Sequence, residues 1–503
     1  MINRLPAQEK NHMQPTKKPT PDASIFPADF LWGAAASSYQ IEGGSGPDLR
    51  GDSVWDAFCA RSGAVLSGHN GAIACDHYTR ADEDVAMMSR LGLQAYRFSI
   101  SWPRILPEGT GRVNATGLDF YDRLVDSLLA RGMQPWATLF HWDYPLDLFR
   151  KGGWLNRDSA DWFGEYTAHI VDRLSDRVTH WMTLNEPQVF VQLGHADGTH
   201  APGLKLPLRE QLVVAHNALR AHGSSVLAIR AHARRPALVG WAPVGHISFP
   251  ISDSAQDIEA ARIATFAIEK PTLWSNTWFA DPVCLGQYPE DGLRVFADHL
   301  PQFPASDLAH IHQPLDFYGV NIYSGTPVRW HEGVAATVGP EAGAPRTALN
   351  WTVEPAALRW GPRMLAERYK LPVYITENGM SSHDWVDLDG QIIDGQRIDY
   401  TRRYLLALRE AIRDGADIRG YFHWSIMDNF EWAEGYKDRF GLVHVDFNTL
   451  KRTPKASAHW YSNVIATNGR SLADPVTLQL RGAESAAHET HLHMRENKPM
   501  RTA

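Results

Sequence analysis

Cysteine is scarce in this chain: Cys59, Cys75 and Cys284 are the only three among 503 residues. They are too few and too far apart for a disulfide framework or a zinc knuckle. No apolar run reaches the roughly 18 residues that a membrane-spanning helix needs. Basic residues are not in excess either, with 49 Lys and Arg against 57 Asp and Glu and a net charge of −8. That balance disfavours nucleic acid as a partner, because phosphate binding needs a basic surface. The first 24 residues are polar, carry Pro15, Pro19 and Pro21, and lack the apolar core of a secretory signal. The expectation is a cytoplasmic protein that binds neither membrane nor nucleic acid. Metal and cofactor signatures are missing as well. His488, His491 and His493 flank Glu489, but the helical spacing of a metalloprotease would need a histidine at position 492, where Leu492 stands. Gly43-Gly44-Ser45-Gly46 lacks the spacing of a dinucleotide-binding turn.

What is present is an ordinary globular composition, 44% hydrophobic and 21% charged. Residues 1–24 read as a flexible leader and residues 468–503 as a loosely ordered tail. Between them, over 25–467, there is no Pro/Gly/Ser linker and no short repeat. Apolar strand-like runs recur instead: Phe30–Ala36, Ala95–Ile100, Pro135–Phe140, Val178–Leu184, Ala237–Pro243, Phe317–Tyr323, Pro372–Thr376 and Gly420–Ile426. Most are apolar on both faces, as buried parallel strands are. Amphipathic stretches separate them, such as Asp119–Arg131 with Leu124, Leu128 and Leu129, and Asp399–Asp414 with Tyr404, Leu405, Leu408 and Ile412. Eight alternations in one linker-free stretch predict an α/β fold, a single-domain (β/α)8 TIM barrel with elaborated βα loops. An open doubly wound sheet is the alternative.

Residues at the carboxyl ends of barrel strands converge on one mouth. The fourth run ends Thr183-Leu184-Asn185-Glu186-Pro187 and the seventh ends Ile375-Thr376-Glu377-Asn378-Gly379. An isolated glutamate is usually a surface residue, yet here two of them close apolar strands, each beside an asparagine. Paired carboxylates suit cleavage of a glycosidic bond, one as proton donor and the other as nucleophile or base toward water. Trp32, Trp102, Trp142, Trp424 and Trp432 fall at or just after strand ends. Indole faces pack against pyranose C–H faces, although a barrel rim needs aromatic filling in any case. His141 lies beside Asp143 without a third residue at metal spacing, so it reads as a hydrogen-bonding group rather than a zinc ligand.

These segments together resemble glycoside hydrolase family 1, the β-glucosidase family, over about residues 25 to 467. The resemblance rests on Phe30-Leu31-Trp32-Gly33, Tyr39-Gln40-Ile41-Glu42-Gly43, Tyr96-Arg97-Phe98-Ser99-Ile100-Ser101-Trp102 and His141-Trp142-Asp143. It continues through Asn185-Glu186-Pro187, Asn321-Ile322-Tyr323, Glu377-Asn378-Gly379 and Trp424-Ser425-Ile426-Met427-Asp428-Asn429-Phe430-Glu431-Trp432. The resemblance implies a retaining β-glucosidase acting on terminal glucosyl residues of small β-glucosides, without metal or cofactor. It implies Glu377 as nucleophile, Glu186 as acid/base, and Arg97 and Tyr323 as supports of the nucleophile. Gln40, His141, Asn185, Trp424, Glu431, Trp432 and Phe440 are implied as the sugar pocket.

The same resemblance leaves a transglycosidase, a 6-phospho-β-glucosidase and a non-catalytic sugar-binding relative as alternatives. The intact Glu431-Trp432 pair favours a neutral sugar, because a carboxylate there repels phosphate. Ile322, His195 and His423 depart from the family pattern. Gln188, Phe190, His195 and Trp330 are the expected leaving-group contacts. The sequence leaves open whether the chain forms a homo-oligomer.

Overall fold

The structure is a computed structural model and describes residues 26–46 and 48–476. Eight parallel strands form the centre: β1 (Leu31–Ala36), β2 (Ala95–Ser99), β3 (Gln134–Phe140), β4 (His180–Asn185), β5 (Leu238–Ala242), β6 (Tyr318–Asn321), β7 (Val373–Asn378) and β8 (Ile418–Trp424). Each falls within about two residues of the run expected for it. Strand pairing follows the order β5, β4, β3, β2, β1, β8, β7, β6. The ring closes between β5 and β6, where Asn321 N donates to Pro243 O at 3.0 Å and Gly245 N to Asn321 O at 2.7 Å. The chain is therefore a (β/α)8 barrel rather than an open sheet.

The barrel interior has its own core. Ala35, Ala95 and Ala242 leave room for Trp136, Met182, Phe317 and Phe422. Trp136 fills the axis, stacked on His180 at 4.1 Å and within 5.1 Å of Phe422. Alternating small and large side chains is how a ring this narrow fills itself. Helices pack outside, among them α1 (Ala115–Ala130) and α2 (Gly395–Arg413). On α1, Leu124 and Leu128 are buried, but Leu129 faces outward at 40% exposure. One residue is about 100° of helical turn, so adjacent leucines cannot share one narrow face.

Two features lie beyond the sequence pattern. Loops after β5 and β6 build a small sheet from Ser248–Pro250, Thr326–His331 and Val334–Thr337. Ordered packing also extends past position 467. Asn468 accepts from Trp32 Nε1 at 2.9 Å and donates to the Phe26 carbonyl at 2.8 Å. Leu472 is buried beside it. The tail placed at 468–503 thus has a packed beginning; its remainder, and the leader at 1–24, lie outside the described residues.

Candidate active site

Glu186 follows the last residue of β4 and adopts φ +43°, a left-handed conformation, as the chain turns into the short helix Pro187–Val191. Its backbone N–H is held by Ala242 O at 2.8 Å. Left-handed backbone costs a non-glycine residue about 1–3 kcal/mol and persists only where surroundings enforce it. Trp142 (φ +76°) and Trp432 (φ +49°) share that condition. Glu377 lies within β7, opposite Asn321 of β6 in the parallel register. Gly379, two residues on, passes so close to Trp424 that a Cβ there would meet the Trp424 carbonyl at 1.9 Å.

The two carboxylates have unequal surroundings. Glu377 accepts from Arg97 Nη1 at 2.6 Å on one oxygen and from the Tyr323 hydroxyl at 2.6 Å on the other. Arg97 is itself fixed, donating to Thr138 Oγ1 (3.1 Å), the Thr376 carbonyl (3.0 Å) and Asn185 Oδ1 (2.7 Å). Glu186 accepts a neutral amide hydrogen bond, from Asn321 Nδ2 at 2.8 Å. Asn321 also donates to Asn185 Oδ1 at 3.0 Å and accepts from Thr376 Oγ1 at 2.7 Å.

Burial pushes the Glu186 carboxyl up to about 8, and the neighbouring charge of Glu377 pushes it the same way. Burial also raises Glu377, while the Arg97 cation and the Tyr323 hydroxyl pull it back. Of the pair, Glu377 holds the charge, since it faces a cation and a second donor. Burial and the two carboxylates keep Tyr323 protonated, with its pKa well above 10.

Both carboxylates open into a cavity of about 710 Å³. His141, Tyr323, Trp424, Glu431, Trp432 and Phe440 line it as well. Burial holds His141 neutral, with the Arg97 charge adding to the effect. Its tautomer follows from the neighbours. Asn185 Oδ1 faces two donors, so its Nδ2 faces His141 Nε2, at 3.1 Å. Nε2 is then the acceptor, which leaves the proton on Nδ1. Glu431 Oε2 is buried without a hydrogen-bond partner. Burial, then the charges of Asp438, Glu377 and Glu186, push that carboxyl well above its ordinary value. An orphaned buried acceptor of this kind awaits a donor from a ligand. A pyranose offers hydroxyls for Glu431 and His141 and a C–H face for the Trp424 ring.

Residues 22–470 match the model of glycosyl hydrolase family 1. The chain belongs to that family. A 1,4-β-D-glucan glucohydrolase of Thermotoga neapolitana is 45% identical over 446 residues, covering 88% of this chain and 99% of the relative. A β-glucosidase of an Agrobacterium species is 44% identical over 448 residues, covering 88% and 95%. The β-glucosidase of Thermotoga maritima in complex with deoxynojirimycin superposes with a TM-score of 0.81 at 43% identity, covering 89% of this chain and 99% of that one.

Not every sugar-pocket residue implied by the family lies on the cavity wall. Asn185 stands behind it and braces His141, while Arg97, expected as a support of the nucleophile, holds Glu377. Gln40 is also set back; it donates to Asn429 Oδ1 (3.0 Å) and Phe430 O (2.9 Å) and accepts from Ser37 Oγ at 2.6 Å. Those bonds tie it to the loop that carries Glu431. The expected leaving-group contacts are displaced. Glu186, Val189 and Leu193, spaced three and four residues apart, form the helical face that lines the cavity. Gln188 turns away to Val244 O, and Phe190 and His195 line a separate small crevice beside Trp154. Trp330 is on the outer small sheet. Asn321, which the sequence offers only as part of the Asn321-Ile322-Tyr323 motif, touches Glu186 directly. Trp274, His246 and Trp351 line the cavity without having drawn notice, because they sit in irregular loops with no strand-end motif.

Proposed function

We propose that this chain hydrolyses β-glucosides with retention at the anomeric carbon, with Glu377 as nucleophile and Glu186 as acid and base. The asymmetry of the pair carries the reading: a cation and a hydroxyl on Glu377, a single neutral amide on Glu186. In the first step Glu377 attacks the anomeric carbon. The glycosidic C–O bond breaks, and Glu186 gives its proton to the departing oxygen. Esterification removes the charge on Glu377, so the repulsion that raised Glu186 disappears and its carboxylate can accept a proton. It then takes one from water, whose oxygen attacks the anomeric carbon and frees Glu377. Arg97 and Tyr323 favour the charged nucleophile at the start and again as it leaves.

The family's named relatives support glucose as the sugar. Glu431 accepts hydroxyl donors and faces the charges of Glu377 and Glu186, which favours a neutral sugar over a 6-phosphate. The enzyme of the resting state needs Glu377 ionised and Glu186 protonated, so kcat/KM should fall on the alkaline side near the raised value of about 8 for the pair. Proton NMR of the first-formed product tests the stereochemical claim. β-Glucose should appear before mutarotation supplies the α-anomer; α-glucose appearing first would refute a double displacement.

A further inference from the structure

Behind the sugar side of the cavity lies a cluster of buried charges that the chemistry above does not use. Three cations, Arg397, Arg439 and Lys455, meet three carboxylates, Asp384, Asp394 and Asp428. Arg397, Asp428 and Lys455 are 0% exposed, and the Asp384 side chain is 4% exposed. Lys455 is the hub. Its Nζ donates to Asp384 Oδ2 and to Asp428 Oδ1, each at 2.6 Å. Arg397 Nη1 reaches the same Asp384 oxygen at 2.7 Å, and Arg439 Nη1 donates to Asp428 Oδ2 at 2.6 Å. Burial by itself would raise the Asp384 carboxyl, yet the Arg397 and Lys455 cations hold it down at about 2.

The two carboxylates that Lys455 joins belong to different walls of the sugar pocket. Asp384 lies seven residues past Glu377, on the loop that leaves β7. Asp428 lies three residues before Glu431, in the segment 424–432 that leaves β8 and carries Trp424, Glu431 and Trp432 into the cavity. Asp428 also accepts from Gly441 N at 3.0 Å, next to Phe440 on the same wall. Toward β1 this segment is held by Gln40, through Asn429 and the Phe430 carbonyl. Toward β7 the Lys455 ammonium makes the matching tie. A buried ion pair is weak evidence for stability, because desolvation offsets its attraction; what two short charge-assisted bonds impose is geometry.

We infer that Lys455 is a positioning residue for the reaction: by tying Asp384 to Asp428 it sets Glu431 and Trp432 at their distance from Glu377, so that the glucosyl ring is gripped with its anomeric carbon at the nucleophile. The inference rests on the β-glucosidase reading above and adds a residue that is not on the cavity wall. The grip concerns the glucosyl ring and not the leaving group, so its loss acts on all leaving groups alike.

Lys455→Met alone would leave two buried carboxylates short of a partner and so threatens folding. Lys455→Met combined with Asp384→Asn removes one charge of each sign and leaves Arg397 with Asp394 and Arg439 with Asp428. Deoxynojirimycin, a glucose-configured iminosugar, is titrated by calorimetry into the parent, the double variant and Asp384→Asn, with thermal midpoints recorded for each. Kd belongs to the folded molecules, so a merely structural role would lower the midpoint and leave Kd unchanged. A displacement of the grip should raise Kd about 10-fold or more in the double variant. Asp384→Asn, whose amide oxygen still accepts from Lys455, should raise it about threefold. In the double variant kcat/KM on nitrophenyl and methyl β-glucoside should fall by a common factor of about 10–100. An unchanged Kd in the double variant, or in Asp384→Asn where the double variant does not fold, would overturn the inference, as would a fall in rate confined to one leaving group. A parent enzyme inactive on both glucosides would instead overturn the β-glucosidase reading itself.

Discussion

Tyr323 carries a 2.6 Å hydrogen bond to Glu377 and stays protonated, so its hydroxyl is a permanent donor to the charged carboxylate. Hydrogen bonds to charged groups contribute about 1.5–3 kcal/mol. Tyr323→Phe keeps the ring against Trp351 and Phe440 and removes only that bond. We expect kcat/KM to fall about 10–100-fold with thermal stability little changed; an unchanged rate would remove Tyr323 from the nucleophile's support. The residues doing this work were legible to different degrees. Glu186 and Glu377 stood out because charged groups interrupt apolar strands. Asn321 and Thr376 were harder to read, since an amide or hydroxyl at a strand end is as often a loop brace as a contact to a catalytic group. The register of β6 and β7 is what turns them toward the carboxylates.

At the scale of an element, β8 carries a cost. His423 alternates with Phe422 and Trp424, and so points away from the barrel interior toward Tyr461, 5.8 Å away between ring centroids. It is fully buried, and neither ring nitrogen has a partner. Burial lowers its pKa to about 3, and the nearby Arg397 and Lys455 charges push the same way. Between the unfolded value near 6.5 and the folded value near 3, the unfolded chain binds the extra proton. Stability on this account is fully present above about 6.5 and is lost as pH falls toward 3. His423→Phe removes the titration, so the variant's thermal midpoint should gain on the parent's as pH is lowered from 7 to 5. Equal pH dependence in the two proteins would show that His423 is not buried neutral. The eight strands were readable because runs apolar on both faces have few other uses. The π-helical segment Gln192–Asp197 was not; it sets Leu193 on the cavity wall and turns His195 into the separate crevice.

The whole molecule brings together groups that are remote in sequence. Arg97 and Glu377 are 280 residues apart and 2.6 Å apart in space. Glu186 reaches the same cavity through Asn321, 135 residues away. Closing the ring between β5 and β6 fixes this arrangement, because Asn321 belongs to that seam. The sequence foretold the closed ring and elaborated loops over its mouth, but not which loop residues face the cavity, since His246, Trp274 and Trp351 sit in irregular stretches outside any helix or strand. The central claim is the division of labour between the two glutamates, and azide rescue tests it most directly. With Glu377→Gly, azide occupies the emptied space below the sugar and should yield an α-glucosyl azide from an activated β-glucoside. With Glu186→Ala, azide replaces water on the glycosyl-enzyme and should yield the β-glucosyl azide. The reverse pairing, or near-normal hydrolysis by either variant without azide, would contradict the assignment.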